Sequence, residues 1–189
     1  MRDIVVKNFQ ESAQLIQQVG NQYADQIVEI SKVIIRAYQK GNKVITAGNG
    51  GSATDAQHLA GELVAKFYKE RKALPAICLS TDTAVITAWS NDVSYDTIFK
   101  RQLEAHGNKG DIFIALTTSG NSANVIHAVE KAKELGVITI GLLGRDGGKL
   151  KGQCNHELIV PGNDVARIQE AQKVIFHTLC QLIEQAFVK

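Results

Sequence analysis

The sequence predicts an α/β protein, a three-layer α/β/α sandwich in which helices cover both faces of a five-stranded parallel sheet. Five short apolar runs alternate with segments whose apolar residues recur at helical spacing. This alternation, with uniformly apolar strands, is typical of a parallel sheet buried on both faces. Because no repeat, low-complexity tract or linker interrupts the chain, we predict one domain over residues 1–189, with a helical segment at about 1–40.

The elements follow from hydrophobic periodicity and from turn residues. Two N-terminal helices are predicted because Gly20 and Asn21 can separate two amphipathic stretches. Gly136 is expected to act as a C-cap, and Asn91 and Asp92 to break a helix. The predicted helices are 4–19, 23–40, 53–67, 82–105 with that break, 122–135 and a long last helix at about 164–187. The predicted strands are 43–47, 75–80, 111–115, 137–142 and 157–160.

Composition indicates an ordinary soluble globular protein. Of 189 residues, 44% are hydrophobic and 21% are charged, and the net charge is +2. The weak charge and the lack of a basic run argue against a nucleic-acid partner, and no apolar run is long enough for a membrane span. Cys78, Cys154 and Cys180 show no metal-binding spacing, and their odd number disfavours a disulfide framework. We therefore expect a cytoplasmic protein without a secretory signal.

The turn at 117–122 is the strongest indication of a ligand. Hydroxyl side chains at Thr117, Thr118, Ser119 and Ser122 follow an apolar strand and precede an amphipathic helix. The first amides of a helix lack intrahelical partners and attract anions. Without Lys or Arg, this turn suits a small phosphate monoester held by hydrogen bonds. The same pattern is also typical of an N-capped turn with no ligand.

A second turn, 48–52, is predicted at the same edge of the sheet. Glycines at 48, 50 and 51 let a ligand approach the backbone closely, and Asn49 and Ser52 can bind sugar hydroxyls or phosphate. In parallel sheets, ligands bind beyond the carboxyl ends of the strands. The alternative is a tight turn closed by a serine cap, because glycine-rich turns alone are weak signals.

Candidate chemistry lies on two helices. His58 and Glu62 share one helix face and can hold a metal or transfer protons, although an exposed pair at this spacing is usually only solvated. On the last helix, His177 lies beside an apolar stripe, which is also consistent with a packed core histidine. Gln169 is eight residues earlier, about 12 Å along a straight helix. One metal reaches both side chains only if they lean together or come from different chains.

Taken together, these residues resemble the phosphosugar-isomerase domain family, usually called SIS. The likeness spans nearly the whole chain. Each of its motifs is a weak signal alone, but together and in this order along the chain they are specific for the family. They are Gly48-Asn49-Gly50-Gly51-Ser52, His58-x-x-x-Glu62, Asn91-Asp92, Thr118-Ser119-Gly120-Asn121-Ser122, Asp146-Gly147-Gly148, and Arg167-Ile168-Gln169-Glu170 followed by His177.

The resemblance implies an aldose–ketose isomerase that converts sedoheptulose 7-phosphate to D-glycero-D-manno-heptose 7-phosphate, with Glu62 and His177 as the acid–base pair. It also implies a homotetramer with active sites at subunit interfaces and one Zn²⁺ per subunit. The implied zinc ligands are His58, Glu62, Gln169 and His177. The implied substrate contacts are Asn49, Gly50, Gly51, Ser52, Glu62, Asn91, Asp92, Thr117, Thr118, Ser119, Ser122 and Gln169.

Three other functions stay open at this point. A non-enzymatic branch of the family binds the bacterial replication initiator, but that branch lacks the residues corresponding to Glu62 and His177. A sugar-phosphate-sensing domain of a regulator is disfavoured because the chain has no helix-turn-helix segment. An isomerase for a hexose or pentose phosphate is poorly distinguished by sequence, since phosphate and hydroxyl recognition is shared.

Overall fold

A computed structural model describes residues 1–188 and places six helices and five strands in this part of the chain. The helices are α1 (Arg2–Gln39), α2 (Gly51–Val64), α3 (Thr83–Asp92), α4 (Ile98–His106), α5 (Ala123–Glu134) and α6 (Val165–Gln185). The strands are β1 (Val44–Gly48), β2 (Ala76–Cys78), β3 (Ile112–Thr117), β4 (Ile138–Gly144) and β5 (His156–Val160). Short 3₁₀ turns lie at Tyr95–Thr97 and Gly148–Leu150.

All five strands are parallel, in the order β2-β1-β3-β4-β5. The chain leaves β1 toward one edge to form β2 and then returns to place β3 on the other side of β1. The carboxyl ends of β1 and β3 therefore flank the point where strand order reverses, which is where open α/β sheets bind ligands. The turns after these two strands are the two that the sequence singled out.

Two apolar cores confirm the predicted three layers. Along β3, Ile112, Ile114 and Leu116 face the core formed with α1, α2 and α6. Phe113 and Ala115 point to the opposite core, which α4 and α5 complete. Because strand side chains alternate in direction, one apolar strand supplies both cores.

The prediction of two N-terminal helices is wrong, because α1 runs unbroken through Gly20. Ile16, Val19, Tyr23 and Ile27 keep helical spacing across this glycine, and they pack into the same core as α6. Glycine in a helix costs roughly 1 kcal/mol relative to alanine. Burial of the continuous apolar stripe outweighs that cost, so tertiary packing decides the conformation.

The predicted break near Asn91 and Asp92 is confirmed. The helix α3 ends at Asp92, and α4 begins at Ile98 after the 3₁₀ turn. Ser94 stabilises the break because its hydroxyl accepts a hydrogen bond from the Asp96 N–H at 3.1 Å. Among residues 1–188, no helix is both long enough and apolar enough to cross a bilayer.

Two glycines give opposite predictions for substitution by alanine. Gly120 has φ +64°, and a Cβ there would lie 1.8 Å from the Gly147 carbonyl oxygen. We expect Gly120→Ala to lower the free energy of unfolding by at least about 2 kcal/mol. Gly20→Ala, where a Cβ meets nothing within 4 Å, should raise it by about 0.5–1 kcal/mol.

Urea unfolding followed by circular dichroism measures both variants. A destabilised Gly20→Ala protein would contradict the unbroken helix. Wild-type stability of Gly120→Ala would contradict the close approach of the two loops.

Candidate active site

The turn after β1 is short because α2 begins already at Gly51, two residues earlier than predicted. A Cβ on Gly51 would lie 2.5 Å from Gln169 Nε2, so a side chain there would displace the Gln169 amide. Gln169 therefore packs against the start of α2. On the other side of the turn, the Ser80 hydroxyl donates to the Gly48 carbonyl at 2.8 Å.

Some hydroxyl groups of the turn after β3 form hydrogen bonds within the turn itself. Thr117 Oγ1 accepts from the Gly120 N–H at 3.2 Å, and Ser119 Oγ accepts from the Asn121 N–H at 3.2 Å. Ser122 occupies the N-cap position of α5, yet its side chain makes no capping hydrogen bond. The first amides of α5 thus receive no side-chain cap from Ser122, which favours the anion-binding interpretation over the N-capped turn.

The glycine-rich turn after β4 braces this loop. Asn121 Oδ1 accepts from the Lys149 N–H at 3.1 Å, and Leu150 N–H donates to the Gly120 carbonyl at 3.2 Å. A Cβ on Gly148 would lie 2.3 Å from the Ser119 carbonyl oxygen. The Asp146-Gly147-Gly148 motif therefore has a structural reason, which is close packing against the hydroxyl-rich turn.

His58, Glu62 and His177 meet between α2 and α6. One ligand atom from each lies within 4.8 Å of the other two. His58 Nε2 and Glu62 Oε1 are 2.9 Å apart, and the two imidazole rings have centroids 5.0 Å apart. All three residues belong to one chain, so this cluster needs no second subunit.

His177 is the least satisfied member of the cluster. Within the described residues, its buried Nε2 has no hydrogen-bond partner. Burial lowers the pKa of His177 below its usual value, and His58 and Lys173 lower it further, against the opposing charges of Glu62 and Asp55. The imidazole is therefore neutral at pH 7, the form that accepts a proton or ligates a metal.

The donor set fits a zinc ion. Two imidazoles and a carboxylate are preferred Zn²⁺ ligands. The Nε2 atom of His177, which has no hydrogen-bond partner among the described residues, offers a free lone pair when Nδ1 carries the proton. Phe176, a buried core residue, lies against both imidazole rings, and its ring centroid is 5.5 Å from that of His58. The packing limits how far the His58 ring can move away from the cluster.

A buried ion pair that the sequence did not single out closes the end of this site. Arg71 and Glu184 have side-chain exposures of only 1% and 3%, with Arg71 Nε 3.5 Å from Glu184 Oε1. Arg71 Nη2 also donates to the Glu62 carbonyl at 2.8 Å. The Glu184 carboxylate accepts from the Phe67, Tyr68 and Lys69 N–H groups at 2.7–2.9 Å. This network fixes the chain directly after α2, on which Glu62 lies.

Two further polar groups extend the contact between α2 and α6. Asp55, one turn before His58, pairs with Lys173 at 3.1 Å. Asp55 is only 4% exposed, so its carboxylate faces the interhelical contact and not solvent. Neither residue was predicted as part of a site, because charged residues are common on solvated helix faces.

Asn91 and Asp92 lie in the last turn of α3, and both are exposed. Asn91 Nδ2 donates to Asp92 Oδ1 at 2.8 Å. In the part of the chain that the structure describes, no side-chain hydrogen bond links this pair to His58, Glu62 or His177. Their contact with substrate stays a prediction.

Asn49 is held by two residues that sequence reasoning missed. Its amide exchanges two hydrogen bonds with the Asn124 amide, at 2.8 and 3.0 Å, and its Oδ1 also accepts from the Tyr95 hydroxyl at 2.8 Å. Three segments distant in sequence thus meet at one side chain beside the switch point of the sheet.

Comparison with known proteins identifies the family. A family model described as SIS domain matches residues 7–144. The chain is 52% identical over 164 residues to the phosphoheptose isomerase of Clostridium acetobutylicum, covering 87% of this chain and 84% of that protein. It is 49% identical over 185 residues to the Aquifex aeolicus phosphoheptose isomerase, covering 98% and 97%.

Solved structures give the same result. The phosphoheptose isomerase of Neisseria gonorrhoeae superposes with a TM-score of 0.92 at 36% identity, covering 97% of this chain and 98% of that one. The Francisella tularensis phosphoheptose isomerase gives 0.93 at 39% identity, with 97% of each chain covered. This chain therefore belongs to the SIS domain family and, within it, to the phosphoheptose isomerases. The family and fold expected from sequence are confirmed.

The Glu184 network predicts a pH-dependent stability. Burial alone raises the pKa of Glu184, but the three backbone N–H groups and Arg71 together hold it below its usual value. The carboxylate therefore stabilises the fold above its unfolded-state pKa, and this contribution is lost as the pH falls through the folded-state pKa. We expect Glu184→Gln to lower the free energy of unfolding by about 2 kcal/mol at pH 7.

Urea unfolding of wild type and Glu184→Gln across pH measures this difference, with the exposed Glu130→Gln as control. The difference in unfolding free energy between the two proteins should be full above the usual glutamate pKa and should narrow as the pH falls through the lowered folded-state pKa of Glu184. A gap that does not change with pH would show that the charge of Glu184 contributes nothing.

Proposed function

We propose that the protein interconverts sedoheptulose 7-phosphate and D-glycero-D-manno-heptose 7-phosphate. The observation that carries this proposal is the convergence of the Glu62 carboxylate and the His177 imidazole in one cluster, with all ligand atoms within 4.8 Å. Relatives over 45% identical along most of the chain are named phosphoheptose isomerases, which supports the same substrate.

The chemistry requires one base and one acid. In the ketose, C2 carries the carbonyl and C1 carries the proton that must move. Glu62 removes a proton from C1, giving an enediol, and returns it to C2, so that C1 becomes the aldehyde. His177 gives a proton to the oxygen on C2 and takes one from the oxygen on C1. Its neutral imidazole suits both directions, since it donates from one nitrogen and accepts at the other.

The phosphate is proposed to bind the turn after β3. Thr118, Ser119 and Ser122 offer hydroxyls there, and the N-terminus of α5 offers backbone amides. Thr117 shapes the turn because its hydroxyl accepts two backbone N–H groups, and its O–H group remains able to donate to the substrate. The remaining proposed sugar contacts are Asn49, Gly50, Gly51, Ser52, Glu62, Asn91, Asp92 and Gln169.

A zinc ion is proposed to be held by His58, Glu62 and His177, with Gln169 as the fourth ligand. When bound, such an ion polarises the substrate carbonyl and stabilises negative charge on its oxygen. Gln169 packs against Gly51 at one end of the contact between α2 and α6, whereas Glu62 lies at the other end. It would reach the ion only by extending along that contact, so we expect it to be the weakest ligand.

A homotetramer is proposed as the working assembly. Ile4, Val5 and Phe9 on the first turns of α1 are 64%, 57% and 74% exposed. A cavity of about 290 Å³, lined by apolar residues of α1 and α6, adds further uncovered apolar surface. Such surface is typical of protein–protein contacts.

The three free cysteines support the proposed cytoplasmic location.

Binding of a replication initiator, the non-enzymatic alternative, gains no support. The relatives reported above are named as isomerases, and both residues that the non-enzymatic branch lacks are present at the centre of the site.

The acid–base assignment predicts the effect of Glu62→Gln. Loss of the base should lower kcat for sedoheptulose 7-phosphate by at least about 100-fold, because amides do not accept the proton. Glu70→Gln, an exposed acidic residue in the loop after α2, is the matched control and should retain wild-type turnover. A Glu62→Gln protein with more than half the wild-type kcat would end the assignment.

The zinc proposal predicts one ion per chain after metal loading, measured by elemental analysis. His58→Ala and His177→Ala should each weaken zinc binding by more than the about 10- to 100-fold typical of losing an outer partner. Competition with a chromophoric chelator measures the affinity without any turnover. The exposed His106→Ala is the control. Unchanged affinity in both cluster variants would place the ion elsewhere.

A further inference from the structure

We infer that Tyr95 and Asn124 are positioning residues that hold the Asn49 amide in one orientation, so that Asn49 meets the sugar phosphate with a single N–H donor. This inference rests on the proposed function, in which Asn49 contacts the substrate. It adds what kind of contact Asn49 makes and which residues enforce it.

The hydrogen-bond inventory of Asn49 leads to the single donor. An amide oxygen has two acceptor sites, and an amide nitrogen has two N–H groups. Oδ1 of Asn49 accepts from Asn124 Nδ2 at 3.0 Å and from the Tyr95 hydroxyl at 2.8 Å, so both of its sites are filled. Nδ2 donates one N–H to Asn124 Oδ1 at 2.8 Å. One N–H remains available to a ligand.

The reciprocal amide pair also fixes the orientation of the Asn49 amide relative to the Asn124 amide. Rotating the Asn49 amide by half a turn would place nitrogen against the Asn124 N–H group and oxygen against the Asn124 oxygen. Both hydrogen bonds would be lost, and Asn124 is only 2% exposed, so water cannot replace them easily. With Asn124 in its observed orientation, the Asn49 amide is therefore oriented before substrate arrives, which lowers the entropic cost of binding.

The three hydrogen-bonded residues, Asn49, Asn124 and Tyr95, come from segments that surround the proposed ligand. Asn49 directly follows β1, Asn124 lies in the first turn of α5 beside the phosphate-binding turn, and Tyr95 lies in the 3₁₀ turn after Asn91 and Asp92. Asn49 thus couples the sugar-binding turn to the phosphate-binding turn.

The Tyr95 segment is itself anchored. Trp89 Nε1 donates to Thr97 Oγ1 at 2.8 Å, and His127 Nδ1 lies 2.9 Å from the Asp96 carbonyl oxygen. Loss of the Tyr95 hydroxyl therefore leaves the turn in place and changes only the contact to Asn49. This makes Tyr95→Phe a clean variant, whereas buried Asn124 is a poorer target because its loss endangers the fold.

The first test compares steady-state kinetics on sedoheptulose 7-phosphate. Tyr95→Phe should raise KM about three- to tenfold, the range expected for one neutral hydrogen bond, with kcat within twofold of wild type. Tyr38→Phe is the control, because Tyr38 lies on α1 in the apolar core and its buried hydroxyl has no partner among the described residues. A KM for Tyr95→Phe equal to wild type overturns the role of Tyr95.

A double-variant cycle separates positioning from a merely structural effect. Asn49→Ala should raise KM more than Tyr95→Phe does, and adding Tyr95→Phe to Asn49→Ala should change KM by less than twofold. A residue that only stabilises the fold would give independent, multiplied effects instead. That multiplied outcome would overturn the inference while leaving the proposed function intact.

Asn49→Asp tests the donor itself. Aspartate keeps both acceptor contacts to Asn124 and Tyr95, but it lacks the N–H for the ligand and also the N–H that Asn124 Oδ1 accepts. We expect its KM to be at least as high as that of Asn49→Ala. A wild-type KM would overturn the donor assignment alone. A wild-type KM for Asn49→Ala, or a wild-type protein without turnover and without calorimetric binding of sedoheptulose 7-phosphate, would overturn the proposed site and this inference with it.

Discussion

The packing of α2 against α6 is the constraint on which the site depends. Residues one helical turn apart on each helix face the partner, so polar groups recur along the contact at regular steps. Gly51 meets Gln169 at one end and Asp55 meets Lys173 in the middle, while His58 and Glu62 meet His177 at the other end. A rotation of either helix by one residue would separate every one of these pairs. The buried Arg71–Glu184 pair fixes the chain that leaves α2 and so limits such a rotation.

The sheet supplies the second half of the site. Because strand order reverses between β1 and β3, the turns after these strands lie side by side, and α2 and α5 begin there. One turn allows close backbone approach through glycine, and the other offers hydroxyls and helix amides to an anion. The reacting end of a sugar can thus lie against the contact between α2 and α6 while its phosphate lies at the start of α5.

Local sequence patterns predicted the parallel sheet, the break in the 82–105 segment and the shared helix face of His58 and Glu62. These features depend on periodicity and turn chemistry, which act over a few residues. The unbroken α1 was missed because packing on α6 outweighs the local preference of Gly20. Asn124, Tyr95 and the Arg71–Glu184 pair were missed because their partners lie far away in sequence, and nothing near them marks the pairing. Spacing likewise could not show that His58 and His177 come together within one chain.

The most direct test of this account is a crystal structure of the Glu62→Gln protein soaked with sedoheptulose 7-phosphate. We expect C1 and C2 of the sugar to lie between the side chains at positions 62 and 177, with the phosphate on the turn between β3 and α5. A sugar bound with its carbonyl end away from the contact between α2 and α6, or with its phosphate away from that turn, would contradict the account.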